Sequence, residues 1–258
     1  MTKLVVLTEG QYSVDQSKKF IPFDPAFHDP KDRPASIFVH VQPFLLQTEQ
    51  DLILFDTGLG YHNEQGELVI HKAIQNAGFD PNEVTKVLMS HLHFDHAGGM
   101  VYEKDGSMQL SFPNAYYYIQ KEELNFALTH ATQSYRLAHI EYLRRSDALV
   151  LLDGAGSIDG YIDYEITGGH CPFHQVFKLH TSDGIYFYGG DVLPEAMQVI
   201  RRFIAKYDFD GRKCMELRNQ FAAQAVVENW KCLMYHDQKN AITSFEIIED
   251  AISIKKPF

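Results

Sequence analysis

Basic side chains are in short supply. Lys and Arg number 23 against 34 Asp and Glu, a formal charge of −11 at pH 7. A surface of that sign repels phosphate backbones and anionic lipid, and the pairs Arg144-Arg145 and Arg201-Arg202 are too isolated to form a basic patch. Nucleic-acid and membrane partners are therefore not expected, and a small-molecule substrate is. Long apolar runs are also missing: no stretch approaches the ~18 residues of a spanning helix. The N-terminal run Leu4-Val5-Val6-Leu7 stops before Glu9, too short for a signal-peptide core, and reads as a first strand. Cysteine is scarce. Cys171, Cys214 and Cys232 form no C-x-x-C pair, and three thiols cannot all be bridged among themselves, so a reduced, cytoplasmic protein is expected. Repeats, low-complexity tracts and Ser/Gly-rich linkers are absent too, which predicts one domain over residues 1–258.

What is present alternates strand-like and helix-like segments. Ser36–Leu46 and Leu52–Phe55 flank the polar turn Thr48-Glu49-Gln50-Asp51 and predict a hairpin. Val84–Met89 is a short apolar run, as expected of a strand buried on both faces. Ala115–Ile119, Ala148–Leu152, Tyr161–Ile166, Gln175–Leu179 and Ile185–Tyr188 continue the strand series, and the Tyr116-Tyr117-Tyr118 run reads as strand packing. Helical spacing predicts helices over Glu67–Ala77, Lys121–Ala131, Lys213–Lys231 and Ser244–Ile254, the last on the stripe Phe245, Ile248, Ala251, Ile252. Two series of strands with helices between them suggest an α/β fold of two packed sheets covered outside by helices.

The segment Ser90-His91-Leu92-His93-Phe94-Asp95-His96-Ala97-Gly98-Gly99 follows the buried strand directly. Among 13 histidines some lie together by chance. Three imidazoles and a carboxylate within six positions, however, are costly to bury unless something binds them. His91 and His93, two apart, can project from one side of an extended segment, and Asp95 and His96 can turn toward an adjacent point. Imidazole with carboxylate suits Zn²⁺ first, with Mn²⁺, Fe²⁺ or Co²⁺ as alternatives. The small residues Ala97-Gly98-Gly99 permit a tight bend and close backbone approach.

His91-x-His93-x-Asp95-His96 with the following Ala-Gly-Gly resembles the hallmark of the metallo-β-lactamase superfamily of hydrolases. Further likenesses come in that family's order: Leu52-Ile53-Leu54-Phe55-Asp56-Thr57-Gly58, then Thr167-Gly168-Gly169-His170-Cys171-Pro172-Phe173-His174, then Tyr188-Gly189-Gly190-Asp191, then Met234-Tyr235-His236-Asp237. The resemblance runs from about residue 36 to 236 and implies a four-layer αβ/βα sandwich, two mixed β-sheets flanked by helices. It implies two divalent metal ions, zinc foremost. His91, His93 and His170 would hold the first, Asp95, His96 and His236 the second, and Asp191 would bridge them. A pair so placed shares a water, delivers it as hydroxide at neutral pH and polarises the carbonyl under attack. Asp95 is the catalytic residue on this reading, carrying a proton to the leaving oxygen. Asp56 is expected to support ligand geometry from outside, and His174 to be structural. His40, His130 and His180 are expected at the surface or in the core.

Departures narrow the subfamily. Zinc β-lactamases place Cys where this chain has Asp191, and the di-iron flavoproteins place Glu at the position of His93. The family's nucleases need basic surfaces. The C-terminal helical region of glyoxalase II is not expected after His236. The wording around His91–Gly99 is most similar to the N-acyl homoserine lactonases, which implies cleavage of an ester or lactone bond. Those enzymes often carry Tyr three residues after the bridging Asp, where this chain has Pro194; Tyr207 or Tyr235 is the candidate replacement. The alternatives are an oxygen-using mononuclear iron enzyme of the persulfide dioxygenase type and a thioester or phosphoester hydrolase of the same superfamily.

Overall fold

Two six-stranded sheets lie face to face in the computed structural model, which describes residues 2–130 and 132–255. The first orders Lys3–Val6, Phe44–Gln47, Leu52–Phe55, Lys86–Leu88, Tyr116–Gln120 and Leu149–Leu152 side by side. The second orders Gly156–Ile158, Ile162–Ile166, Gln175–Thr181, Gly184–Tyr188, Lys231–Leu233 and Ile242–Thr243. Both mix parallel and antiparallel pairs. Strand geometry throws successive side chains to opposite faces, and Leu52–Phe55 uses both. Leu52 and Leu54 join a core under helices Val69–Asn76, Lys121–Thr129 and Leu137–Arg144. Ile53 and Phe55 join the core between the sheets, where they meet Phe177, Leu179 and Tyr188. This is why the run reads as uninterrupted apolar sequence. A third core lies under helices Ala196–Ile200 and Gly211–Glu228, against Val176, Phe187 and Cys232. The four-layer αβ/βα sandwich expected from the resemblance is what forms. Each fully buried Leu or Phe of these cores contributes roughly 1.5–3 kcal/mol.

The elements depart from expectation in several places, and the helix expected over Lys213–Lys231 ends at Glu228, with Lys231 opening a strand. Ser36–Leu46 is not one strand of a hairpin. Ile37–Val41 pairs with Gly10–Val14 in a separate three-stranded sheet that also holds Phe20–Pro22, and only Phe44–Gln47 pairs with Leu52–Phe55. Pro43 lies at the break, where its missing N–H cannot extend a ladder. Ser244–Ile254 is a β-hairpin, Phe245–Ile248 with Ala251–Ile254, rather than a helix. Glu249 and Asp250 both sit at positive φ, 51° and 60°, as a two-residue hairpin turn requires, and β-branched Ile247, Ile248, Ile252 and Ile254 suit strands. The helix Leu137–Arg144 was not expected. The helix expected over Lys121–Ala131 ends at Thr129, and Ala131 lies outside the described residues, as does Met1 of the N-terminal segment. No helix among the described residues is long and apolar enough to cross a membrane. Cys171, Cys214 and Cys232 are buried free thiols.

Parallel strands bring their C-terminal ends to one edge. Leu52–Phe55 and Lys86–Leu88 are parallel in the first sheet, Gly184–Tyr188 and Lys231–Leu233 in the second, so the loops after all four share an edge of the sandwich. Two of those loops pack without side chains between them. A Cβ on Gly99 would stand 2.1 Å from the Thr57 carbonyl oxygen, and one on Gly98 2.3 Å from that of Leu59. Close approach, rather than unusual dihedrals, is what these glycines supply. Gly99→Ala is therefore expected to destabilise the protein by at least the ~1–3 kcal/mol of an overpacked site. Thermal denaturation checks this, and an unchanged Tm would mean that the loops do not meet.

Candidate metal centre

All seven residues picked from the sequence lie at this edge of the sandwich, Asp95 and His96 in the one-turn helix Phe94–Ala97 and Asp191 in the short 3-10 turn Gly190–Val192. His91, His93, Asp95 and His96 follow Lys86–Leu88, Asp191 follows Gly184–Tyr188, His236 follows Lys231–Leu233, and His170 precedes Gln175–Thr181. Three groups form among the described residues, His91 with His93 and His170, Asp95 with His96 and His236, and Asp56 with His91 and His96; within each, the possible donor atoms lie within 4.8 Å of one another, and the first two match the sets expected from the resemblance. Asp191 stands between those two. Its Oδ2 is 3.2 Å from His170 Nε2, and its Oδ1 is 3.1 Å from both His96 Nε2 and His236 Nε2. Asp95 Oδ2 lies 3.7 Å from His96 Nε2 and 3.6 Å from His236 Nε2.

Three of the inward atoms lack hydrogen-bond partners. His91 Nε2, His96 Nε2 and Asp191 Oδ1 are buried with no hydrogen-bond partner. Buried polar atoms are rarely left so. The electrostatics agree. Burial, with the neighbouring imidazoles, pushes the pKa values of His91 and His93 well down, so both rings are held neutral with lone pairs to offer. At His96 burial opposes protonation, yet Asp191, Asp95 and Asp56 outweigh it and drive the pKa well up. Burial likewise opposes the charge on Asp191, and His96, His236 and His170 overcome it. The centre is thus a buried negative field that calls for a cation, built from imidazole and carboxylate donors. That donor set fits a divalent transition metal.

The outward nitrogens are each tied down, which fixes ring orientation and tautomer. His91 Nδ1 meets Ser90 Oγ at 3.0 Å. His96 Nδ1 meets Asp56 Oδ2 at 2.6 Å. His236 Nδ1 meets the His40 carbonyl, and His170 Nδ1 meets Asp208 Oδ1 at 2.8 Å. The exception is His93, whose Nδ1 faces inward, 2.9 Å from His170 Nε2. Asp56, at positive φ where its strand ends, also accepts from Ser90 N, Ser90 Oγ and the Tyr188 hydroxyl. It does more than bond its own turn. His174 is buried, accepts the Asp191 N–H at Nε2 (3.1 Å) and lies 3.1 Å from Thr167 Oγ1 through Nδ1, so it steadies Asp191 from behind.

Several contributors carry no signal in the sequence. Buried Glu123, whose pKa burial raises, accepts from Leu92 N at 3.1 Å and from the Cys171 thiol at 3.3 Å, joining the two loops of the first group. Gln42, also buried, donates to the Met234 and Asp237 carbonyls and clamps the loop of His236. Asp208 stands between Tyr207 and Phe209 in a segment with no motif. His180 pairs with Asp163 at the surface, and His130 is exposed, as expected; His40 acts through its carbonyl. Of the two phenols, Tyr235 donates to the Asp95 carbonyl at 2.7 Å and stacks on His96, so it is committed. Tyr207 lines the cavity. That cavity holds about 310 Å³ in front of His93, Asp95, His170, Asp191 and His236. Val14, Phe20, Ile37, Val39, Phe126 and Phe209 make its walls largely apolar, and Lys18 is the cation among them.

A model of the metallo-beta-lactamase superfamily matches residues 37–248. The N-acyl homoserine lactonase AiiA of Bacillus thuringiensis subsp. kurstaki is 28% identical over 160 residues, 54% of this chain and 57% of that protein. The chain thus spans little more than half the length of the curated relatives it matches. Among solved structures, AidC, a dizinc quorum-quenching lactonase, superposes with a TM-score of 0.76 at 20% identity, over 100% of this chain and 95% of that one. A probable metal-dependent hydrolase from Staphylococcus aureus does so at 0.74 and 19%, over 100% and 98%. At that identity the likeness is one of fold.

Proposed function

The chain belongs to the metallo-β-lactamase superfamily, and from that premise we propose that it is a single-domain dinuclear hydrolase of an ester or lactone with an apolar arm. The observation that carries the reading is Asp191, one carboxylate with an oxygen toward each of two separate three-residue groups. His91, His93 and His170 would hold one ion and Asp95, His96 and His236 the other, with zinc the leading occupant and an N-acyl homoserine lactone the leading substrate. When bound, such a pair lowers the pKa of a shared water toward ~7 and polarises the carbonyl under attack.

The rest of the work falls to the chain. Apolar walls from Val14, Phe20, Ile37 and Val39 receive the arm and keep bulk water from the scissile bond. The Asp95 carboxylate, at the cavity floor, takes the proton of the attacking water and passes it to the leaving oxygen, giving acid and alcohol. Its backbone is held by a hydrogen bond from the Tyr235 hydroxyl, which fixes where the side chain starts. Tyr207 is the phenol placed toward substrate in a chain that has Pro194 where related lactonases often carry Tyr. Lys18 offers a counter-charge to the carboxylate that cleavage releases. A complete second group (Asp95, His96, His236) speaks for hydrolysis over one-iron oxygen chemistry.

The apolar walls and the −11 charge favour a neutral acyl substrate over an anionic phosphodiester. The zinc-loaded protein is expected to give a higher kcat/KM on an acyl homoserine lactone and on an aryl ester than on bis-nitrophenyl phosphate. Among lactones, kcat/KM should rise with acyl length, by up to ~10-fold for about two buried CH₂ groups at ~0.8 kcal/mol each. A preference for the phosphodiester overturns the assignment of substrate class, and oxygen uptake with one iron per chain overturns that of reaction class.

A further inference from the structure

Arg218 is the large charged side chain that the chemistry above leaves unused. It stands on the helix Gly211–Glu228 with only 1% of its surface exposed. Burying a guanidinium is costly unless its donors are met. Here Nη1 donates to Gln198 Oε1 and Nη2 to the Phe203 carbonyl at 3.0 Å, while Nε has no hydrogen-bond partner and Nη2 meets Asp208 Oδ2, itself without a hydrogen bond, as an ion pair at 3.9 Å. Asp208 is equally buried, and its other oxygen, Oδ1, accepts from His170 Nδ1. The next residues extend the same attachment through the backbone. Phe209 N donates to the His170 carbonyl at 3.0 Å, and Asp210 N to the Gly169 carbonyl at 2.7 Å. Gln198, in turn, faces the Tyr207 hydroxyl at 3.5 Å. One guanidinium therefore braces both ends of the segment 203–208, whose Tyr207 and Asp208 border the cavity.

We propose that Arg218 and Asp208 form a buried pair that positions His170, so that the orientation of a first-group ligand is set from the helix Gly211–Glu228. This rests on the reading of His170 as a metal ligand. With Asp208 accepting at Nδ1, the proton stays on that nitrogen, and the bare Nε2 points at Asp191 and His93. Arg218 supplies the opposite charge that a buried carboxylate needs, 3.9 Å away, and its planar fork, bonded to Gln198 and the Phe203 carbonyl, fixes that charge relative to the segment 203–208. Lysine could supply the charge without the fork.

The test is zinc titration of chelator-stripped protein, resolving two dissociation constants, for wild type, Asp208→Asn, Arg218→Gln, Arg218→Lys and the double variant Asp208→Asn/Arg218→Gln. Cobalt-substituted samples give absorption spectra that report ligand geometry without any assay of turnover. Asp208→Asn and Arg218→Gln are each expected to weaken one of the two zinc sites by ~10–100-fold, as loss of an outer partner does, and to spare the other. The double variant should be no weaker than the worse single one, because both act through His170. Arg218→Lys should fall between wild type and Arg218→Gln, and the cobalt spectrum of Asp208→Asn should change. Unaltered zinc constants in Asp208→Asn overturn the proposal. So does an Arg218→Gln protein whose Tm falls while both constants hold, which would make the arginine a packing element only. If Arg218→Gln does not fold, Asp208→Asn and Arg218→Lys decide. A wild type that takes up no zinc at all overturns the two-metal reading instead, and is distinguished by failing before any variant is compared.

Discussion

Asp191→Ala is expected to eliminate hydrolysis and to lower metal content at both sites while leaving the fold largely intact. The carboxylate stands between the two groups, so its loss removes a donor from each and the element that fixes their separation. Asp56→Ala gives the contrasting outcome. Asp56 touches one proposed ligand, His96, and accepts in addition from Ser90 N, Ser90 Oγ and Tyr188 in a fully buried place. Its removal leaves several buried donors unmet, at about 1–3 kcal/mol apiece, so with both proteins stripped of metal, stability should suffer more there than at Asp191. Activity should suffer less, by the ~10–100-fold typical of an outer partner, with the Asp191 variant at least another ~10-fold lower. Steady-state kinetics, elemental analysis and thermal denaturation of the two proteins make the comparison. Equal kinetic damage in well-folded samples would show the two roles to be wrongly divided.

Stripping the metals should cost the protein much of its thermal stability. The centre buries Asp191 and His96 in a field that only positive charge relieves. A ligand held by the folded state alone stabilises it by about 4.1 kcal/mol at 1,000 times its dissociation constant. At roughly 2–4 °C per kcal/mol for a domain approaching this size, the difference in Tm is on the order of 10 °C. Differential scanning fluorimetry with and without a strong chelator, followed by zinc repletion, measures it. A Tm indifferent to chelator, in protein whose zinc is shown to be gone, would mean that the donors are held by their surroundings alone.

The part of the centre legible in the sequence is the part that is local. His91, His93, Asp95 and His96 fall within six positions, and a strand end followed by a bend is enough to aim them. His170, Asp191 and His236 could be picked out only by likeness to a family, because nothing in their own spacing ties them to the first four. The supports are a different matter. Glu123, Asp208 and Gln42 act across the fold on partners far away in the chain, and each is a common polar residue in an ordinary context. The outer architecture behaved the same way. Leu52–Phe55 announced itself because both of its faces are buried. The C-terminal hairpin did not, since Phe245, Ile248 and Ile252 satisfy a helical stripe as well as a pair of strands. Its turn residues, Glu249 and Asp250, are not the usual Asn-Gly that would have marked it.

The strand Ile37–Val41 has two employments at once. Its side chains at 37 and 39 face the cavity, while the carbonyl of His40 and, just beyond, the amide of Gln42 hold the loop of His236. One function is written in the side chains of residues 37 and 39, the other in the His40 carbonyl and the Gln42 side chain. Selection for a new substrate can therefore exchange residues 37 and 39 freely, since the His40 carbonyl stays where the strand pairing puts it. It cannot insert or delete a residue there. A slip of one position would turn the cavity-facing side chains to the opposite face and carry the carbonyl away from His236 in the same step. Diversity in this wall is open to point substitution and closed to changes of length, and a library built for altered specificity should be drawn accordingly.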